Sequence, residues 1–291
     1  MSPMSGTCID RFELRLDESG FPEQLARTPE PPKVLYGFGD ASALVSGLAV
    51  IGARKSTPYG RAAARLFGGW AASRGVVIIS GAAVGCDQAA QRAALGAGGR
   101  TVAVLGCGAD VDYPRGASGF LDGLRGGFGG CVVSELPWGT PPTRWAFARR
   151  NRIIAGLAGA VLVVEASLPS GTFSTADFAL DAGRPVLVVP GSIFAPECRG
   201  SNRLLRQGAT PVTDVSDLAS ELGWIEDLAP AAPAATEGFD AVLSALRTNP
   251  MRPDDVARDL GLSIVDVARR IGALESNGLI ARYPDGRYGS C

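Results

Sequence analysis

Six short apolar runs constrain this chain more than any other feature. They are LAVIG (48–52), VVIIS (76–80), TVAVLG (101–106), CVVSE (131–135), AVLVVE (160–165) and PVLVVPG (185–191). Each is rich in β-branched residues and bounded by Gly, Pro or Ser. Longer Ala-, Leu- and Arg-rich stretches of helical character separate most of them. Continuous apolar strands alternating with helices mean a parallel sheet covered on both faces. The sequence therefore predicts an α/β fold, a doubly wound and mostly parallel sheet, over residues 37–224.

The flanks read differently. Residues 1–36 are polar, with TPEPPK at 28–33, and predict an arm or a truncated small element. Residues 225–236 are Ala/Pro-rich without apolar periodicity, which reads as a semi-rigid linker. Residues 237–291 predict a second unit. FDAVLSALRTNP is a first helix, RPDDVARDLGL a short helix ended by Gly261, and SIVDVARRIGALESNGLI a third, opened by Ser263 and closed by Asn277-Gly278. ARYPDGRYGS predicts a hairpin turning at Asp285-Gly286. Three helices followed by a wing is the winged-helix pattern.

Composition excludes several kinds of chemistry. A net charge of −1 gives no global case for a polyanion ligand, so any such site must be local. Of the 28 basic residues only Lys33 and Lys55 are lysines, a bias that a GC-rich genome also produces. There is no histidine, which removes Ser-His-Asp and Cys-His catalysis and imidazole-dependent metal sites. The six cysteines are scattered without a CxxC, so neither a zinc site nor a disulfide framework is expected, and Cys107 and Cys131 read as small buried thiols. No bound metal or cofactor is implied. The N-terminus lacks an apolar signal core and no run reaches membrane-spanning length, so a soluble, cytoplasmic protein is expected.

Three loops at strand ends carry the candidate site. In IGARKSTPYGR (51–61), Gly52 permits a sharp turn, Thr57 can cap a helix with Pro58 at its first position, and Arg54 and Lys55 flank helix-start amides that favour an anion. In SGAAVGCDQAAQRAAL (80–95), Ser80, Gly81 and Gly85 make a tight loop, and Asp87 reads as a helix cap or a partner that orients an arginine. In EASLPSGTFSTADFAL (165–180), Ser170, Gly171 and Thr172 offer hydroxyls and amides at another helix start. Loops at the carboxyl ends of strands in an open sheet converge on one edge, where ligands bind.

The stretch ARRNRIIAG (148–156) should reach the same edge. It gathers Arg149, Arg150, Asn151 and Arg152, just after Trp145 and Phe147, while Tyr113 and Arg115 sit in the loop after the third run. Guanidinium groups suit phosphate because their planar fork binds it bidentately. Aromatics interleaved with cations suit single-stranded nucleic acid, whose bases stack while its phosphates pair. The alternative is internal: Arg150 or Arg152 pairing with Asp87, Glu135 or Glu165, with Phe147 in the core.

Taken in order, GAR (52–54), SGAAVGCDQAAQRAAL (80–95), DYP (112–114), SELP (134–137), FARRNRIIAGL (147–157), VEASLPSGTFSTA (164–176), VPG (189–191) and GSNRLLRQGA (200–209) resemble the motifs of the DNA-processing protein A (DprA, or Smf) family. The likeness covers about residues 34–222, and the C-terminal unit is similar to the winged-helix domain of many members. The resemblance implies a Rossmann-like core that binds single-stranded DNA without turnover. It implies a recombination mediator that protects incoming strands in natural transformation, helps load the RecA recombinase and forms a homodimer through the core. It maps Arg54 to the arginine of the family's G-S-R loop and Arg150, Asn151 and Arg152 to its R-N-R motif. Ala53, Cys86, Gln91, Ala117 and Ala148 depart from the family pattern.

Two other readings stand beside it. One is a nucleotide-binding enzyme or sensor resembling the lysine decarboxylase-like class. Those proteins carry P-G-G-x-G-T followed by a glutamate, where this chain has LPSGTFSTA with Ser174 and Thr175, so no general acid or base stands there. The other is a winged-helix transcription regulator. Residues 237–291 hold seven Arg against eight Asp and Glu, whereas duplex binders usually present a basic face, although Arg269 and Arg270 could lie on a recognition helix.

Overall fold

A computed structural model describes residues 11–114, 116–223, 241–276, 279–283 and 285–289. The core runs β1 (Arg11–Arg15), α1 (Glu23–Ala26), β2 (Val34–Gly39), β3 (Gly47–Ile51), α2 (Pro58–Ser73), β4 (Ile78–Ser80), α3 (Cys86–Gly96), β5 (Thr101–Val104), α4 (Ser118–Arg125), β6 (Gly130–Ser134), α5 (Arg144–Leu157), β7 (Ala158–Val163), α6 (Thr172–Asp181), β8 (Val186–Val188), α7 (Arg199–Arg206), β9 (Thr210–Pro211) and α8 (Val215–Glu221).

All six apolar runs form strands, β3 to β8, and every residue of β3, β4, β5, β6 and β8 is buried. The sheet order is β1-β2-β6-β5-β4-β3-β7-β8-β9. Neighbours from β6 to β9 are parallel, while β1 and β2 pair antiparallel at the outer edge. The chain builds outward from β3 to β6, then crosses back through α5 to start β7 on the other side of β3. That reversal makes β3 and β7 the topological switch point, whose carboxyl side is the usual ligand crevice of a doubly wound fold.

Helices cover both faces. Leu48, Val50, Phe67, Ile78 and Ala90 pack on one side, and Ala49, Ile79, Val104, Ile153 and Val161 on the other. Residues 11–36, polar by composition, are folded onto the sheet. In β1 alternate residues turn inward, Phe12 and Leu14 pack on the core, and Leu25 and Leu35 are fully buried. Cys86, Cys107, Cys131 and Cys198 are buried free thiols.

The C-terminal unit has three helices, α9 (Ala241–Thr248), α10 (Pro253–Leu260) and α11 (Ile264–Ser276), then a wing of β10 (Ala281–Arg282) and β11 (Tyr288–Gly289), paired antiparallel. Val242, Leu246, Val256, Val267, Ile271 and Ile280 form its core. Gly261 ends α10 in the left-handed region at φ 63°, and the Ser263 hydroxyl accepts from the Asp266 amide at 3.1 Å to open α11. The expected linker at 225–236 and the Asn277-Gly278 stop lie outside the described residues.

Candidate functional site

Helix α5 forms one wall of a cleft of about 640 Å³ at the carboxyl edge of β3 and β7. Arg144, Phe147, Ala148 and Asn151 line it, the i, i+3, i+4, i+7 spacing of a single helix face. The loop after β3 supplies Gly52, Arg54 and Lys55 opposite, and the loop after β7 supplies Ser170, Gly171 and Thr172. Arg54, Lys55 and Arg144 are exposed to solvent. The Arg54 guanidinium lies 5.2 Å from the centre of the Phe147 ring, within cation–π range, and Tyr113 packs on Phe147 at 5.0 Å between centroids.

The loop after β7 is held from α5. Asn151 Nδ2 donates to Ser174 Oγ at 2.8 Å and to the Gly171 carbonyl at 3.3 Å. The Ser170 hydroxyl accepts from the Thr172 amide at 3.2 Å. The start of α6, with its positive dipole end, therefore faces the cleft.

The three arginines within residues 149–152 divide their roles. Arg150 is 5% exposed: its Nη1 donates to the Gly81 carbonyl at 2.9 Å and to the Val104 carbonyl, tying the ends of β4 and β5 to α5. Burial pulls its guanidinium down to about 10, an effect the nearby Asp87 carboxylate opposes. Asp87 is itself buried and accepts from the Gly81 amide at 3.1 Å; burial raises its pKa, and Arg150 and the loop amides pull it back. Arg152, 7% exposed, pairs with Glu135 and faces a separate small cavity beside Thr28 and Phe178. Arg149 is exposed and holds the other oxygen of Glu135 at 3.2 Å. The internal pairing with a carboxylate is made by Arg152, to Glu135, whereas Arg150 bonds backbone carbonyls, lies near Asp87 and still lines the cleft.

The start of α2 is the main departure from expectation. The sequence predicts amides there open to an anion, but Glu165 already occupies them. Its Oε2 accepts from the Thr57 amide and its Oε1 from the Thr57 hydroxyl, each at 2.8 Å, while Thr57 Oγ1 accepts from the Gly60 amide at 3.1 Å. Ser80 is fully buried and donates to the Val50 carbonyl at 2.6 Å, so it is interior and does not line the cleft. Gly85, at φ +104°, lets the β4 loop press on the β3 loop, where an added Cβ would stand 2.3 Å from the Ala53 carbonyl. Arg115 lies outside the described residues.

The family described as DNA recombination-mediator protein A matches residues 13–223, and the DprA winged helix domain matches residues 226–286. The chain belongs to the DNA recombination-mediator protein A family. It is 38% identical to Protein Smf of Escherichia coli K12 over 281 residues, 93% of this chain and 75% of that one. It is 38% identical to the putative DNA processing protein DprA of Mycobacterium tuberculosis over 268 residues, 88% and 68% of the two chains. The solved DprA of Streptococcus pneumoniae superposes with a TM-score of 0.69 at 34% identity, over 72% of this chain and 74% of that one. The DprA of Helicobacter pylori, whose structure is described for its single-stranded DNA binding mode, superposes with a TM-score of 0.66 at 29% identity, over 75% and 98%.

As a DprA-family chain, this one shows how its departures are absorbed. Gln91 is fully buried and its Nε2 donates to Thr101 Oγ1 and the Val102 carbonyl, each at 3.1 Å, so it braces α3 against β5. Ala148 lines the cleft, and Ala117 is buried against α4. The residue that sequence reasoning missed is Arg144. Its signal was the helical spacing to Phe147, Ala148 and Asn151. Among the described residues no group of three or more metal-ligating side chains comes together, and no helix is long and apolar enough to cross a membrane.

Proposed function

We propose that this chain binds single-stranded DNA in the cleft and acts as a recombination mediator. The observation that carries this reading is the arrangement around Phe147. An aromatic ring is packed on Tyr113, has a guanidinium over its face, and opens to a cleft with two further exposed cations. Unpaired bases stack on such rings while phosphates meet the flanking charges. Arg54, Lys55 and Arg144 take the phosphates and Phe147 a base. Gly52, Gly81 and Gly85 let the loops approach, and Ser170, Gly171 and Thr172 present the α6 start. Asn151, Arg149, Arg150 and Arg152, with Asp87, Glu135 and Glu165, hold these parts in place. Asp87 lines the cleft already engaged with the Gly81 amide, and the reading is of binding without turnover.

The likeness to the Helicobacter pylori protein supports the choice of single strands. On the same family ground the reading extends to a cytoplasmic homodimer that protects incoming strands in natural transformation and loads RecA. It also treats residues 37–224, 225–236 and 237–291 as core, linker and separable winged helix. Fluorescence anisotropy of a labelled oligonucleotide, single-stranded against duplex across a salt series, tests the central claim. Tight, salt-sensitive binding that prefers single strands is expected. No binding, or equal affinity for duplex, would overturn it. Sedimentation equilibrium tests the dimer, RecA ATPase on protein-coated single strands tests loading, and limited proteolysis tests the division into units.

A further inference from the structure

Beside the cleft, one turn carries the two most exposed of the large apolar side chains among the described residues. Ile193 is 78% and Phe194 89% exposed. The turn joins β8 to α7 at the carboxyl edge, and Pro196 and Glu197, just beyond, line the cleft itself. Single apolar residues scattered over a surface need no explanation, but an adjacent pair at a site's rim does.

This turn is fixed at its base and along its backbone. The Gly191 amide donates to Asn202 Oδ1 at 3.1 Å, and Asn202 Nδ2 donates to the Gly191 carbonyl at 3.0 Å. The Tyr59 hydroxyl donates to the Pro190 carbonyl at 2.6 Å. The Phe194 amide donates to Ser192 Oγ and the Ala195 amide to the Ser192 carbonyl, each at 3.2 Å. These bonds hold the backbone of the turn while both side chains stand in water. An aromatic displayed in this way has its burial still to gain, from a ligand.

Position and charge select the ligand. Arg54, Lys55 and Arg144 line the side of the cleft formed by the β3 loop and α5, whereas Glu197 is the charged lining residue next to the turn. An anionic backbone is drawn to the first side and repelled from the second. Phe147 packs against Gly106 after β5, and Phe194 follows β8. Those strands are four positions apart in the sheet order, roughly 19 Å at the usual strand spacing. A polymer with a charged backbone and flat apolar side groups satisfies both ends together.

We infer that Ile193 and Phe194 form a second base-contact surface, at the opposite end of the cleft from Phe147, for the same single strand. The inference rests on the proposed DNA-binding function and extends it to a residue pair outside the family motifs. The phosphates run along the cationic side, and bases beyond the first turn toward Phe194.

The test uses the full chain and two labelled probes, an oligothymidylate and an abasic strand of equal length. Phe194→Ser is expected to weaken binding to oligothymidylate about tenfold, the scale of one lost base–aromatic stack, and to leave the abasic strand unaffected. Phe194→Trp should keep the affinity, and its added indole emission should fall when the strand is bound. Unchanged oligothymidylate affinity in Phe194→Ser, with the unmodified chain binding tightly, would overturn the second surface and leave the cleft reading intact. An equal loss on the abasic strand would do the same. An unmodified chain that binds no single strand removes both. If Phe194→Ser converts a dimer to a monomer in sedimentation velocity, the pair belongs to a second copy and the inference falls.

Discussion

Glu165 accepts hydrogen bonds from both the amide and the hydroxyl of Thr57, each at 2.8 Å, and so fills the positive end of α2 from within the chain. A carboxylate at the end of β7 thereby locks the switch-point strand to the helix that follows β3. Burial pushes the Glu165 carboxyl above its ordinary value of 4.5, while the Thr57 bonds pull it back. The raised value means the folded chain keeps this proton more tightly than the unfolded chain does. Stability contributed by this group therefore falls as pH rises from about 4.5 through the folded value. Urea unfolding of Glu165→Gln across that window should show a shallower decline than the native chain. Parallel curves would contradict the assignment. Glu165→Ala should cost about 1–3 kcal/mol, because the Thr57 donors are left unpaired.

Arg150 should prove a folding residue. Arg150→Ala removes the donors to the Gly81 and Val104 carbonyls and leaves Asp87 buried without its countercharge. Breaking one side of such a buried arrangement costs about 3–5 kcal/mol. Removing Asp87 as well should restore part of that, so Asp87→Ala/Arg150→Ala should lose less than the sum of the single changes. Chemical denaturation of the four proteins reads the coupling directly, and simple additivity would count against it.

Arg54→Ala should behave in the opposite way. Its side chain is exposed, so the melting temperature should hold while DNA affinity falls. If Arg54, Lys55 and Arg144 each neutralise one phosphate, the log–log slope of affinity against salt should be roughly −2, and each single neutralisation should reduce it by about 0.7. A slope insensitive to all three changes would remove the cleft from the binding surface.

Gly81→Ala offers a check on how tightly the Arg150 anchor is seated. A Cβ at that position would stand 2.4 Å from the guanidinium nitrogens. The guanidinium is enclosed and bonded, so relief requires the loop or α5 to shift, at a cost of about 1–3 kcal/mol. Thermal unfolding at matched concentration measures it, and an unchanged midpoint would show the anchor to be loose.

Much of the fold was legible because β3 to β8 are buried on both faces, and such strands read as unbroken apolar runs. The edge pair was not. β1 alternates exposed and half-buried positions over a short span, so RFELR looks like any polar stretch. The arginine cluster divides for a geometric reason. At 3.6 residues per turn, positions 149, 150 and 152 point around most of a helix's circumference, so neighbours in sequence part company in space. The α5 residues that line the cleft are Arg144, Phe147, Ala148, Arg150, Asn151 and Ile154, so of the three arginines only Arg150 reaches it, and from a buried position. Nor could the end of α2 be read correctly from local sequence, since the carboxylate that fills it comes from Glu165, far along the chain.

Helix α5 is pinned at three separate points: to the end of β6 through Arg152 and Glu135, to the ends of β4 and β5 through Arg150, and to the start of α6 through Asn151. A wall held in this way has little conformational freedom left to surrender when a ligand arrives. In the proposed complex the entropy lost on association falls on the nucleic acid, the floppier partner, which must take the shape of the cleft. Free and bound forms of the core backbone should accordingly coincide to within about 1 Å. On the proposed function, selectivity for unpaired strands would have a mechanical source, since a stiff duplex cannot bend to a wall that does not yield.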